Sequence, residues 1–154
     1  MDVGLVGRLA NILPSPVLES DGKLDGAIDP IHLIHRIIVC TLCRDVPSGI
    51  RSGESLYILR SRLSAPAVAQ GFTVEGVECM AGCARPLTVA FQAPGKAAYL
   101  FGSIDAQADA GDLAQFASLY ASLADGWCNS GQRPPRLAGK TVARIPGTPA
   151  EGNR

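Results

Sequence analysis

In His35-Arg36-Ile37-Ile38-Val39-Cys40-Thr41-Leu42-Cys43-Arg44 a short apolar, β-branched run ends on a Cys-x2-Cys pair. The run from Ile34 to Cys40 predicts a buried strand, and the Thr41–Arg51 stretch, with Pro47 and Gly49, predicts a loop. Ser52 is placed as the N-cap of a helix, because Leu56, Leu59 and Leu63 then recur along one stripe. Pro66 and Gly71 close that helix region. A second strand, Phe72–Glu78, broken by Gly76, leads straight into Cys79. A strand, a helix and a strand in that order need a crossover, so the two strands are expected to be parallel.

Further along, Leu87, Val89 and Phe91 alternate with Thr88, Ala90 and Gln92, the period of a strand. Ala93-Pro94-Gly95-Lys96 carries Pro then Gly at its centre, the pattern of a type II turn, and Ala97–Phe101 returns as the second arm of a hairpin. Asp109 and Asp112 mark a helix start, Leu113, Phe116, Ala117, Tyr120, Leu123 and Ala124 follow helical spacing, and Gly126 is placed at C′. The expected fold is α/β: a thioredoxin-like β-α-β-β-β-α order with a mixed four-stranded sheet and two helices. Residues 1–31 read as an N-terminal extension with one short helix near Val3–Leu13. Residues 32–126 form the domain, and 127–154 a Pro/Gly/Arg-rich tail holding a short strand at Thr141–Ile145.

Composition narrows the function. The chain has 154 residues, 14 Lys plus Arg against 14 Asp plus Glu, and 47% apolar content. Zero net charge argues against nucleic-acid binding by phosphate neutralisation. No apolar run approaches the ~18 residues of a membrane span. Aromatic content is 5%, which predicts an aliphatic core. Asp2 and Arg8 spoil a signal-peptide reading, so a cytoplasmic location is expected, where five cysteines do not make a disulfide framework.

The cysteines carry the chemistry. Cys40 and Cys43 form Cys-x2-Cys, Cys79 and Cys83 form Cys-x3-Cys, and 35 residues separate the pairs. Each pair follows a strand, and parallel neighbouring strands would bring both loops to one edge of the sheet. Four converged thiols call for a thiophilic metal: zinc or an iron–sulfur cluster. The wider Cys-x3-Cys fits a two-iron cluster, in which each iron takes two thiolates. Cys128 has no partner at ligand spacing and is expected to be structural. His32 and His35 lie near the start of the first strand, and at ~3.3 Å per residue His35 would lie roughly 16 Å from Cys40. Neither is expected to be a ligand.

The sequence resembles the DUF1636 family of predicted metal-binding proteins over roughly residues 36–146. The residues that carry this are Cys40-Thr41-x-Cys43-Arg44, Glu78-Cys79-Met80-x-x-Cys83, Ala93-Pro94-Gly95-Lys96-x-x-Tyr99-x-Phe101-Gly102, Leu119-Tyr120, Asp125-Gly126-Trp127, Arg133-Pro134 and Ala143-Arg144-Ile145-Pro146. That family is similar to thioredoxin-like [2Fe-2S] ferredoxins, which implies a one-electron carrier rather than an enzyme, with Cys40, Cys43, Cys79 and Cys83 as ligands. Gene neighbourhoods of the family imply a link to cobalamin biosynthesis. The pattern also resembles the cluster-binding subunit of respiratory complex I, whose first pair is Cys-x4-Cys. The tighter pair here keeps a zinc or other divalent-metal protein open. A thiol–disulfide oxidoreductase using Cys40 and Cys43 is a further alternative.

Residues 35–66 carry a balance of +3 and residues 127–144 a balance of +4. Arg44, Arg51 and Arg85 follow the cysteine pairs, where they would tune a cluster or dock a redox partner with an acidic face. Gly49 and Gly82 would let backbone amides approach sulfur. A homodimer is left open.

Overall fold

The structure is a computed structural model, and it describes residues 35–64 and 71–148. The N-terminal extension, its short helix near Val3–Leu13, His32 and the Pro66 region lie outside the described residues.

The chain runs β1 (His35–Cys40), α1 (Ser52–Leu63), β2 (Phe72–Val77), β3 (Val89–Gln92), β4 (Ala98–Phe101), α2 (Ala110–Ser122), α3 (Pro135–Ala138) and β5 (Thr141–Ile145). One mixed sheet forms in the order β2-β1-β3-β4-β5. β1 and β2 pair in parallel, with Cys40 opposite Val77, and β3, β4 and β5 add antiparallel. The mixed α/β class and the β-α-β-β-β-α core order are as expected. The sheet, however, has five strands and not four. Residues read as a tail supply α3 and β5, and Leu100 of β4 pairs with Ala143 of β5. Pro134 and Pro135 start α3, where a missing N–H costs nothing, and Thr141 Oγ1 donates to the Leu137 carbonyl at 3.1 Å.

The core departs from expectation in chemistry. Few as the aromatics are, they are concentrated: Phe91, Tyr99, Phe101, Phe116 and Tyr120 are all essentially solvent-free. Phe116 of α2 stands edge-on to Phe91, Phe101 and Tyr99 with ring centroids 4.8, 5.0 and 5.1 Å away. Alternation along β3 and β4 puts these rings on one face, and helical spacing puts Leu113, Phe116, Ala117 and Tyr120 opposite them. The core is therefore aromatic at its centre, with Ile37, Val39, Leu59 and Leu63 around it.

Four local details differ from the sequence reading. Ser52 is not the N-cap of α1; that position is Arg51, without a side-chain cap. The Ser52 hydroxyl instead donates to the Thr41 carbonyl at 2.6 Å. Gly76 does not break β2. A Cβ there would meet Leu56 Cδ2 at 2.7 Å and Thr41 Cγ2 at 2.8 Å, so glycine is what lets α1 close onto the strand. Gly126 is not at C′. Helix α2 ends at Ser122 with Leu123 as C-cap, and Gly126, at φ +71°, lies three residues further on. Gly95 matches its expected turn, with φ +71° and the Lys96 amide donating to the Ala93 carbonyl at 3.2 Å.

Asp109 stands at the N-cap of α2 as expected, but it does not cap through its side chain. Its buried carboxylate accepts from the Asp105 amide at 2.8 Å, from Arg136 Nε at 2.6 Å and from Lys140 Nζ. Burial alone would raise its pKa, but hydrogen bonds from Lys140, the Asp105 amide and Arg136 outweigh burial and hold it below the usual carboxylate range. This cluster ties α3 and the approach to β5 onto α2. Asp109→Ala should cost about 3 kcal/mol, the low end for a broken buried pair, because the Arg136 side chain is half exposed. The native contribution is complete above the unfolded value of about 3.9 and fades as pH falls through the lower folded value. Urea melts should therefore show a gap between wild type and variant at pH 7 that narrows below about pH 4.

Candidate metal centre at the sheet edge

Parallel pairing sets the geometry. Cys40 is the last residue of β1 and Val77 the last of β2, so the loops after both strands leave from one edge. The first loop is pinned there: the Thr41 amide and hydroxyl both donate to the Val77 carbonyl, at 2.8 and 3.1 Å. Ser52 holds the Thr41 carbonyl from the other side. Cys40 and Cys43 are buried, whereas Cys79 and Cys83 are exposed, and all are free thiols.

The two loops meet. The Cys40 thiol lies 3.5 Å from the Glu78 carbonyl, its acceptor in the second loop. Cys83 faces Leu42, Arg44 and Asp45 across a cleft of about 450 Å³. Among the described residues, no three His, Cys, Asp or Glu side chains stand close enough together to hold one metal ion. The donor set still fits a thiophilic centre, because N–H and O–H groups are aimed at the sulfurs as they are at anionic thiolates. The amide of Ala81 donates to Cys79 at 3.3 Å, and the Thr88 hydroxyl oxygen lies 4.0 Å from the Cys43 sulfur. Holding all four sulfurs at one centre requires the exposed Cys79–Cys83 loop to close over the buried pair.

Electrostatics separate the buried thiols. Burial pushes Cys40 up, but hydrogen bonds from Leu42, Cys43, Met80 and Thr88 outweigh it and leave the thiol below its ordinary pKa. Burial dominates at Cys43, with Cys40 adding to it, and that thiol is raised.

The remaining expected residues divide. Arg44 and Arg51 are exposed and line the cleft running from Thr41 to Glu54, with Asp45 and Glu54 among its walls. Arg85 is half-buried and donates to the Gly139 carbonyl at the end of α3 at 3.0 Å, so it braces the fold. His35 sits at the other end of β1 from Cys40, with its ring 4.9 Å from Phe72. Cys128 is buried against the Tyr99 hydroxyl, with its sulfur 3.3 Å and its amide 3.0 Å from that oxygen, a structural setting. Gly49 has φ +74° and open space around it. Gly82 serves packing: a Cβ there would stand 2.2 Å from Thr88 Cγ2.

Thr88 is the residue that sequence reasoning passed over. The Leu87–Gln92 alternation marks it as the polar partner, yet it is fully buried. Its carbonyl accepts the Cys40 amide at 3.1 Å, its hydroxyl oxygen lies 4.0 Å from Cys43 Sγ, and its methyl packs on Gly82. A polar residue beside the core positions Leu87 and Val89 was the available signal.

These features define a small mixed α/β domain with two cysteine loops at one sheet edge. The family model described as "Protein of unknown function (DUF1636)" matches residues 37–147, and the chain belongs to that family. No curated protein and no solved structure matches it.

The Gly82–Thr88 contact predicts a compensating pair. Gly82→Ala should destabilise by about 1–3 kcal/mol through overpacking. Thr88→Ser, which removes the obstructing methyl, should recover part of that loss in the double variant. Denaturant melts of the four forms give the coupling directly, and strict additivity would mean that the two residues do not press on each other.

Proposed function

We propose that the protein is a small ferredoxin-like electron carrier holding a [2Fe-2S] cluster on Cys40, Cys43, Cys79 and Cys83. The observation that carries this reading is the common exit of the two cysteine loops from the parallel β1–β2 pair. A two-iron cluster, when bound, supplies a site that gains and loses one electron. The chain's part is to present four thiolates and surround them with donors. The Ala81 N–H at Cys79 offsets negative charge on sulfur and so favours the reduced state. The cleft beside Cys83 leaves this edge open to a partner. Free thiols suit a reducing compartment, and no described helix is long and apolar enough to cross a membrane. A role beside cobalamin biosynthesis rests on family resemblance alone.

A zinc protein is the second reading. The Cys40–Cys43 pair has the tight spacing of a zinc knuckle, and the tetrahedral S4 preference of zinc matches the same four donors.

Serine at any one of Cys40, Cys43, Cys79 or Cys83 should sharply reduce bound iron and acid-labile sulfide, and Cys128→Ser should leave both unchanged. Iron and sulfide assays on anaerobically purified variants decide this. Full occupancy in Cys43→Ser together with loss in Cys128→Ser would overturn the assignment.

The partner is proposed to present acidic groups to Arg44 and Arg51, whose side chains are exposed beside the first pair. Rim charges act mainly on association rate and its salt dependence. Arg44→Glu or Arg51→Glu should slow electron transfer several-fold at low salt, with the deficit shrinking as salt rises. Equal stopped-flow rates for wild type and both variants at low salt would place docking elsewhere.

A further inference from the structure

Thr88 precedes β3 and exposes nothing to solvent. Its hydroxyl oxygen lies 4.0 Å from the Cys43 sulfur, within hydrogen-bonding reach. Its carbonyl fixes the Cys40 backbone from the same point. A buried hydroxyl is costly unless it is hydrogen-bonded, and here cysteine sulfur is the partner it finds. With a thiol, either group can donate. A metal-bound thiolate has no proton, so toward it the hydroxyl is the donor.

We propose that Thr88 is a positioning residue of the cysteine site, whose hydroxyl hydrogen-bonds the Cys43 sulfur, orients it as a ligand and favours the more negative state of a bound cluster. The tuning part rests on the iron–sulfur reading; the hydrogen bond can be read without any metal. Valine reproduces the shape of threonine without the hydroxyl, and serine keeps the hydroxyl without the methyl. A merely steric role would follow the methyl, whereas a hydrogen-bonding role follows the oxygen.

The test uses the full chain, reduced and metal-free, with the Raman S–H stretching band of Cys43 identified by difference against Cys43→Ser. Thr88→Val should move that band toward the position of an unbonded thiol, and Thr88→Ser should keep it at the wild-type position. Thr88→Ala replaces Thr88→Val if the latter does not fold. An unchanged band on removing the hydroxyl overturns the proposal, whatever the chain binds. In protein reconstituted with iron and sulfide, the oxidised-to-reduced ratio at a fixed applied potential should rise several-fold in Thr88→Val and return in Thr88→Ser. An unchanged ratio at full iron and sulfide content overturns the tuning. Wild type that takes up no iron and sulfide overturns both the tuning and the iron–sulfur reading, and the S–H band then decides the hydrogen bond by itself.

Discussion

Parallel pairing of β1 with β2 is the constraint on which the rest depends. It aligns Cys40 with Val77, so both strands end at one edge. The Thr41–Val77 hydrogen bonds then bind the first loop to the end of the second strand. Helix α1, which makes the crossover, reaches that edge through Ser52 and packs down because Gly76 leaves room for Leu56. Remove the parallel register and the two cysteine loops would no longer leave from one edge.

The other half of the domain serves as a support for that edge. Antiparallel β3 and β4 bury Phe91, Tyr99 and Phe101 against Phe116 and Tyr120, which gives the sheet its dense side. The buried Asp109 cluster attaches α3, and Arg85 links the end of α3 back to the second cysteine loop. A residue placed among docking candidates thus couples the second cysteine loop to the end of α3. Thr88 performs the matching service between the two loops themselves.

Much of this was legible in the sequence where one local rule dominates. Alternation gave Leu87, Val89 and Phe91, Pro94-Gly95 gave the turn, and helical spacing gave the buried face of α2. Paired cysteines after two parallel strands gave the common edge from which both loops leave. What was not legible depends on tertiary partners. Aromatic content says how many rings there are, not that they gather. Thr141–Ile145 reads as a short strand in the sequence, but that it joins the sheet as a fifth member depends on the edge that β4 offers. Ser52 and Asp109 carry good cap residues at helix starts, but nearer partners in space, Thr41 for one and Arg136 and Lys140 for the other, take their side chains. Gly76 reads as a strand break because Leu56 and Thr41, which need its missing Cβ, lie far along the chain, and Gly82 reads as room for amides beside sulfur, whereas it makes room for the Thr88 methyl.

Metal and sulfide analysis of the wild-type protein, purified without oxygen and matched to its visible spectrum, tests the central claim most directly. The account predicts a red-brown sample with about two iron and two acid-labile sulfide per chain, the composition of a two-iron cluster. A colourless sample holding one zinc and no sulfide would contradict it and leave the four cysteines as a zinc site.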